Sequence, residues 1–151
     1  MKKQTALRIF WFLLPLVVGG LSALLTRQSM DLYDTVQKPS ISPPAILFPI
    51  VWSILYLLMG ISALLVYNRG CSSALLVFCV QLFLNFLWPL LFFNAQAFWT
   101  AFLLLLLLFV TVLWTVILFY RCRPLAGYLM IPYLLWIAFA GYLNVMIAVL
   151  N

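Results

Sequence analysis

The 151-residue chain has no histidine and only two acidic residues, Asp31 and Asp34. Charged residues make up 7% of it, against about a quarter in a soluble domain. These shortages exclude whole classes of function. The absence of histidine, of a carboxylate inside an apolar run and of a nucleophile–base pair argues against conventional acid–base and nucleophilic catalysis. With so little charge, the chain cannot clothe itself in polar surface in water. Its eight basic residues sit in ones and twos between apolar runs, which argues against a nucleic-acid partner. The three cysteines, Cys71, Cys79 and Cys122, are an odd number at no metal-like spacing, and they read as packing residues with free thiols.

Hydrocarbon is what the chain has in abundance: 68% of its residues are hydrophobic. Its solvent over most of its length is therefore lipid, where only helices and closed barrels satisfy their backbone. The apolar runs exceed the ~10 residues of a barrel strand and do not alternate, so the expected fold is an all-α bundle. A bilayer core takes about 20 helical residues. Five runs qualify, roughly 7–26, 44–67, 72–93, 97–120 and 125–150, in one membrane domain spanning residues 1–151. The first run follows Lys2 and Lys3 as a leader peptide would. It is read as a span because it runs on without a small-x-small cleavage site. Five spans put the termini on opposite sides. The N-terminal side collects Lys2, Lys3, Arg8, Arg69, Arg121 and Arg123, and the other side only Arg27 and Lys38. Positive charge stays inside, so the N-terminus is expected in the cytosol and the first loop and C-terminus outside. On that placement Cys71 and Cys122 face a reducing compartment.

Within the spans the polar and aromatic residues carry the information. Gln81, Asn85 and Trp88 follow at spacings of four and three on one helix face. An amide in hydrocarbon needs a partner, so this face either ties helices together or lines a cavity. Trp52, Tyr56, Met59 or Gly60, and Ala63 form a second stripe. Tyr133, Trp136 or Ile137, Ala140 and Asn144 form a third. Trp11, Trp99 and Tyr120 lie near span ends, where aromatic belts sit. Trp52 and Trp136 lie deeper, and an indole N–H at that depth seeks a partner. The leucine run "FLLLLLLFVTVLW" reads as a lipid-facing span. Gly19 and Ala23 permit close helix approach, within one chain or between two. Pro15, Pro49, Pro89 and Pro132 fall within four of the five spans and predict kinks that open space between helices. The only long connection, residues 27–43, is either a solvated connector or a lid.

The segments "KPSISPP", "FPIVWSILYLLMGISALLV", "QLFLNFLWPLLFF" and "PYLLWIAFAGYLN" stand in the order and spacing of the TspO/MBR family, the translocator or peripheral-type benzodiazepine receptor proteins. The chain resembles bacterial members over nearly its whole length. The resemblance implies a five-helix bundle, a homodimer, and a pocket opening toward the first loop. It implies tetrapyrrole ligands (protoporphyrin IX, haem), isoquinoline-carboxamide and benzodiazepine drugs as further ligands, and no required cofactor. Carried over by motif, Trp52, Tyr56, Asn85, Trp88, Trp136, Ala140 and Leu143 line that pocket. The likeness departs at Leu32, before Tyr33, and at Ile41, where the family often has tryptophan. The C-terminal "NVMIAVLN" lacks the basic residue of the animal cholesterol motif. Light-dependent porphyrin breakdown, linked to bacterial members, would use the bound porphyrin as sensitiser with Trp52 and Trp136 as redox neighbours. The competing functions are a facilitator moving a lipophilic ligand across the membrane and a plain scaffold. Intramembrane ionisable residues and inverted repeats, the marks of ion-coupled transport, are not found in the sequence.

Overall fold

Apolar chain in lipid must satisfy its own backbone, and here helices do all of it. The computed structural model describes residues 1–151. The helices are α1 (Lys2–Thr26), a short α2 (Leu32–Thr35), α3 (Leu47–Arg69), α4 (Ser72–Pro89), α5 (Phe98–Cys122) and α6 (Pro124–Leu150). A π-helical stretch, Leu90–Asn94, extends α4, so five spans are long and apolar enough to cross a bilayer.

The stops follow local chemistry. Gly70 ends α3 at φ 76°, a left-handed conformation that costs glycine little, and the Cys71 N–H returns to the Val66 carbonyl at 3.4 Å. Arg123 is extended before Pro124, which opens α6 where a missing N–H does no harm. Two of the four expected kinks move on the same reasoning. Pro49 lies in the first turn of α3, where its N–H would be unpaired anyway. Pro89 closes α4 and hands over to the π-helical stretch. Pro15 and Pro132 are the ones inside regular helix.

Around the bundle the order is α1, α3, α6, α5, α4, with α4 returning to α1. The core is aromatic and aliphatic: Phe78 stacks on Phe119 at 5.5 Å, and Met59, Met130 and Tyr133 are fully buried. The leucine span is not only a lipid face. Leu105, Leu108, Val112, Thr115 and Phe119 of α5 recur every three to four residues and pack inward, while Leu103, Leu106, Leu107 and Val110 point out. Such outward apolar surface would be an aggregation hazard in water and is the ordinary exterior of a lipid-embedded bundle.

Gly19 and Gly60 set the α1–α3 distance. A methyl on Gly60 would overlap the Phe12 carbonyl oxygen, and one on Gly19 would run into the Tyr56 ring. The small residue at Gly19 thus serves packing within the chain.

One sequence expectation is overturned. Cys71 and Cys122 are joined in a disulfide across 51 residues, with their Cα atoms 6.3 Å apart; Cys79 alone is free. The pairing has no local sequence signal. It arises because antiparallel helices bring the α3–α4 turn and the α5–α6 turn to the same end.

Candidate functional site

A cavity of about 230 Å³ lies at the end of the bundle beneath the first loop. Every element except α5 contributes. From α1 come Gly19, Ser22 and Ala23, with Thr26 and Arg27 at its end; the loop adds Met30 and Tyr33. From α3 come Phe48, Pro49, Trp52 and Tyr56; from the end of α4, Trp88, Pro89, Phe92 and Phe93. From α6 come Ala140, Leu143, Asn144 and Ile147.

Seven of the 19 lining residues are aromatic, and they supply the cavity's flat faces. Trp52 stacks on Tyr56 with centroids 5.5 Å apart, and Trp88 stacks on Phe92 at 5.3 Å. The spacing of four in each pair puts both rings on one helix face. That is why Trp52 and Tyr56 recur one turn apart in an otherwise greasy span.

The amides are already committed. The Tyr56 hydroxyl donates to Asn85 Oδ1 at 2.6 Å, and Asn85 Nδ2 donates to the Tyr133 hydroxyl at 2.8 Å. The Tyr133 hydroxyl in turn donates to Gln81 Oε1 at 2.8 Å. This chain ties α3, α4 and α6 together beneath the cavity, and Asn85 is not on its wall. Likewise Trp88 Nε1 donates to Asn144 Oδ1 at 2.9 Å, and Asn144 Nδ2 donates to the Phe98 carbonyl at 2.9 Å. The two sequence alternatives for this face are thereby divided: Gln81 and Asn85 hold helices, while Trp88 also walls the cavity.

Of the residues singled out from sequence, Trp52, Tyr56, Trp88, Ala140 and Leu143 come together around the cavity. Trp136 does not. It lines a shallower hollow between α3 and α6, with Leu55, Leu58 and Phe139. Its ring stands behind Phe48, centroids 5.8 Å apart, and its Nε1 has no partner. Residue 137 explains this: on the α6 stripe the structure turns Ile137 inward, 1% exposed, and Trp136 toward the flank. The α1 wall was missed in the sequence. Ser22 and Thr26, one turn apart in an apolar span, were the available signal. Phe92 and Phe93 had none, since phenylalanine in lipid needs no cavity to explain it.

The loop covers the mouth. Tyr33 is buried and its hydroxyl donates to the Pro43 carbonyl at 2.6 Å. Lys38 donates to the Tyr33 carbonyl and lies 4.5 Å from the Tyr33 ring centroid. The Gln37 N–H donates to Asn151 Oδ1 at 3.1 Å and the Gln37 carbonyl accepts from Asn151 Nδ2 at 2.9 Å, tying the loop to the end of α6. Lys38 is therefore occupied, and Arg27 is the cation on the cavity wall. Burial pushes the Tyr33 phenol above its ordinary 10.0, and Asp34 adds to the push. The docked loop thus favours the neutral phenol. Its contribution is whole below pH 10 and fades as pH climbs toward the raised value. Limited proteolysis within residues 34–42 should accelerate above pH 10, and Tyr33→Phe should flatten that rise.

No three histidine, cysteine, aspartate or glutamate side chains lie together. A guest here would meet ring faces and three polar groups without protein partners: the guanidinium of Arg27, the indole N–H of Trp52 and the hydroxyl of Ser22.

Residues 11–150 match the TspO/MBR family. The chain is 39% identical over 124 residues to Protein CrtK of Rhodobacter capsulatus, covering 79% of this chain and 78% of that one. To the Tryptophan-rich protein TspO of Chlorobaculum tepidum it is 37% identical over 124 residues, with the same coverage of 79% and 78%. To the Translocator protein of Bos taurus it is 35% identical over 139 residues, 87% of this chain and 82% of that one. The chain is a multi-pass membrane protein and belongs to the TspO/MBR family.

Proposed function

We propose that the protein binds a tetrapyrrole in the cavity under residues 27–43, with protoporphyrin IX as the fitting ligand class. The supporting observation is the cavity wall itself: the stacked Trp52–Tyr56 and Trp88–Phe92 pairs, with Arg27 on the side of the first loop. Flat rings take a flat macrocycle by offset stacking, and Arg27 meets its carboxylates in charge-assisted hydrogen bonds. The chain has no histidine, and on the wall the iron of a haem would meet only the Met30 thioether and the phenols of Tyr33 and Tyr56, both already donating hydrogen bonds within the protein, which favours the metal-free ring. At about 230 Å³ the cavity is smaller than the ~300–1,000 Å³ typical of drug-sized ligands, so the loop lifts to admit a macrocycle. Isoquinoline-carboxamide and benzodiazepine drugs, being smaller and aromatic, compete for the same wall.

In the same proposal the positive-inside rule favours a cytosolic N-terminus, which would have the cavity open outward. A homodimer is part of the same reading. Its contact lies away from Gly19, which is already packed on Tyr56.

The test is a titration of the purified protein with protoporphyrin IX, read in the porphyrin absorption band. Trp52→Leu is expected to weaken binding about tenfold, the worth of one aromatic pair. Arg27→Glu should weaken it by at least as much, and Lys38→Glu by less. Equal affinity across all three variants would remove the proposal. Illumination then separates binding from breakdown. The bound porphyrin would be the sensitiser and oxygen the oxidant, with Trp52 and Trp88 as the indoles in reach and Trp136 set behind Phe48. Photoproducts and rates matching free porphyrin would leave a carrier, and vesicle flux assays would then test a facilitator.

A further inference from the structure

We propose that Cys71 and Cys122 are a reversible oxidation site at the basic end of the bundle, closed by exchange with low-molecular-weight disulfides and reopened by exchange with low-molecular-weight thiols. The pair lies at the opposite end from the cavity, so nothing in the ligand reading uses it. Cys71 stands immediately before α4, its carbonyl accepting from the Leu75 N–H at 3.3 Å, and Cys122 is the last residue of α5. Both side chains are partly exposed, so a small disulfide can reach them. Arg69, Arg121 and Arg123 stand within two residues of one or other cysteine. At Cys71 the N-terminus of α4 and the nearby positive charge favour the thiolate, which is the attacking form, so Cys71 attacks first.

The compartment decides between a permanent staple and a switch. This end of the bundle carries Lys2, Lys3, Arg8, Arg69, Arg121 and Arg123, which marks it as cytosolic on the orientation proposed above; the inference rests on that orientation. The cytosol keeps thiols reduced, so a bridge there closes only when the pool of small disulfides rises. The thiolate of one cysteine attacks a sulfur of the small disulfide, forming a mixed disulfide and releasing one small thiol. The second cysteine thiolate displaces the other. The protein dithiol is oxidised, the small disulfide is reduced to two thiols, and no further oxidant is needed. Closure ties the α3–α4 turn to the α5–α6 turn, with α4 and α5 inside the covalent ring.

The test counts free thiols on the full chain in intact cells. Cells are quenched with acid, and each free thiol is tagged with a maleimide that slows migration on a gel. In a Cys79→Ser background the expected count is two tags in unstressed cells, none after diamide, and two again after wash-out. In the unaltered chain it is three, one and three. A second, otherwise cysteine-free variant carries Asp34→Cys, labelled from outside with an impermeant maleimide to report orientation. No tags before stress, with Asp34→Cys labelled, would mean a permanent staple and overturn the switch while the orientation stands. No tags, with Asp34→Cys unlabelled from outside, would overturn the orientation and the switch with it. Two tags throughout would mean the pair never closes, which also overturns it.

Discussion

Gly60→Ala will cost about 3 kcal/mol of stability, at the upper end of what overpacking a well-packed interior does. The single added carbon has nowhere to go. It would overlap the Phe12 carbonyl oxygen, a backbone atom that no side-chain rotation can move aside. α1 must therefore back away from α3 as a body. Gly20 supplies the control, since nothing lies within 4 Å of a carbon added there. Gly20→Ala should be neutral or gain roughly 0.5–1 kcal/mol, because alanine loses less backbone freedom in a helix than glycine does. Thermal unfolding of both variants in one detergent measures the contrast. Equal stability of the two would mean that the close α1–α3 approach does not hold in the membrane protein. The displacement also reaches the cavity, because α1 supplies Ser22 and Ala23 and leads into Arg27. Gly60→Ala should therefore weaken ligand binding from a position that touches no ligand.

The spans were readable in the sequence because lipid imposes one rule on every residue of a run. Their ends were less so. α1 reaches back to Lys2, since a helix continues into water after its apolar pattern stops. α3 begins at Leu47 rather than 44, because Pro44 is spent in a turn whose carbonyl accepts from the Leu47 N–H at 3.0 Å. In the cavity, Trp52, Tyr56 and Trp88 were legible through helical spacing. Ala140 owed its place to the α6 stripe and the resemblance, and Leu143 to the resemblance alone, as an alanine or leucine in a span announces nothing. Spacing could not decide between Trp136 and Ile137, since both fit a period of 3.6. The neighbours of α6 decided it, and they are a property of the assembled bundle. The disulfide was hidden for the same reason: its two cysteines meet only once four helices are antiparallel.

Asn85→Leu is expected to be the most damaging polar substitution, at about 3 kcal/mol, because it strands hydroxyls rather than removing a surface contact. Tyr56 would lose the acceptor for its proton, and Tyr133 would lose the donor to its oxygen. Tyr56 and Tyr133 are both buried, 8% and 0% exposed, so bulk water does not reach Tyr133 and reaches Tyr56 only through the cavity. Each stranded group costs about 1–3 kcal/mol. Tyr133 would keep its bond to Gln81, so Tyr56 should carry the larger share. A double-mutant cycle tests that division. Tyr56→Phe removes the hydroxyl that Asn85→Leu strands, so the double variant should be more stable than the summed single effects by about 1 kcal/mol or more. Strict additivity would sink the network as the tie between α3 and α4. Because Asn85 lies beneath the cavity rather than on its wall, Asn85→Leu should lower the unfolding temperature far more than it lowers porphyrin affinity at a temperature where the fold is intact. Trp52→Leu should show the reverse: a small change in unfolding temperature beside a large loss of affinity. The crossing of those two effects separates the residues that hold the bundle from those that meet the ligand.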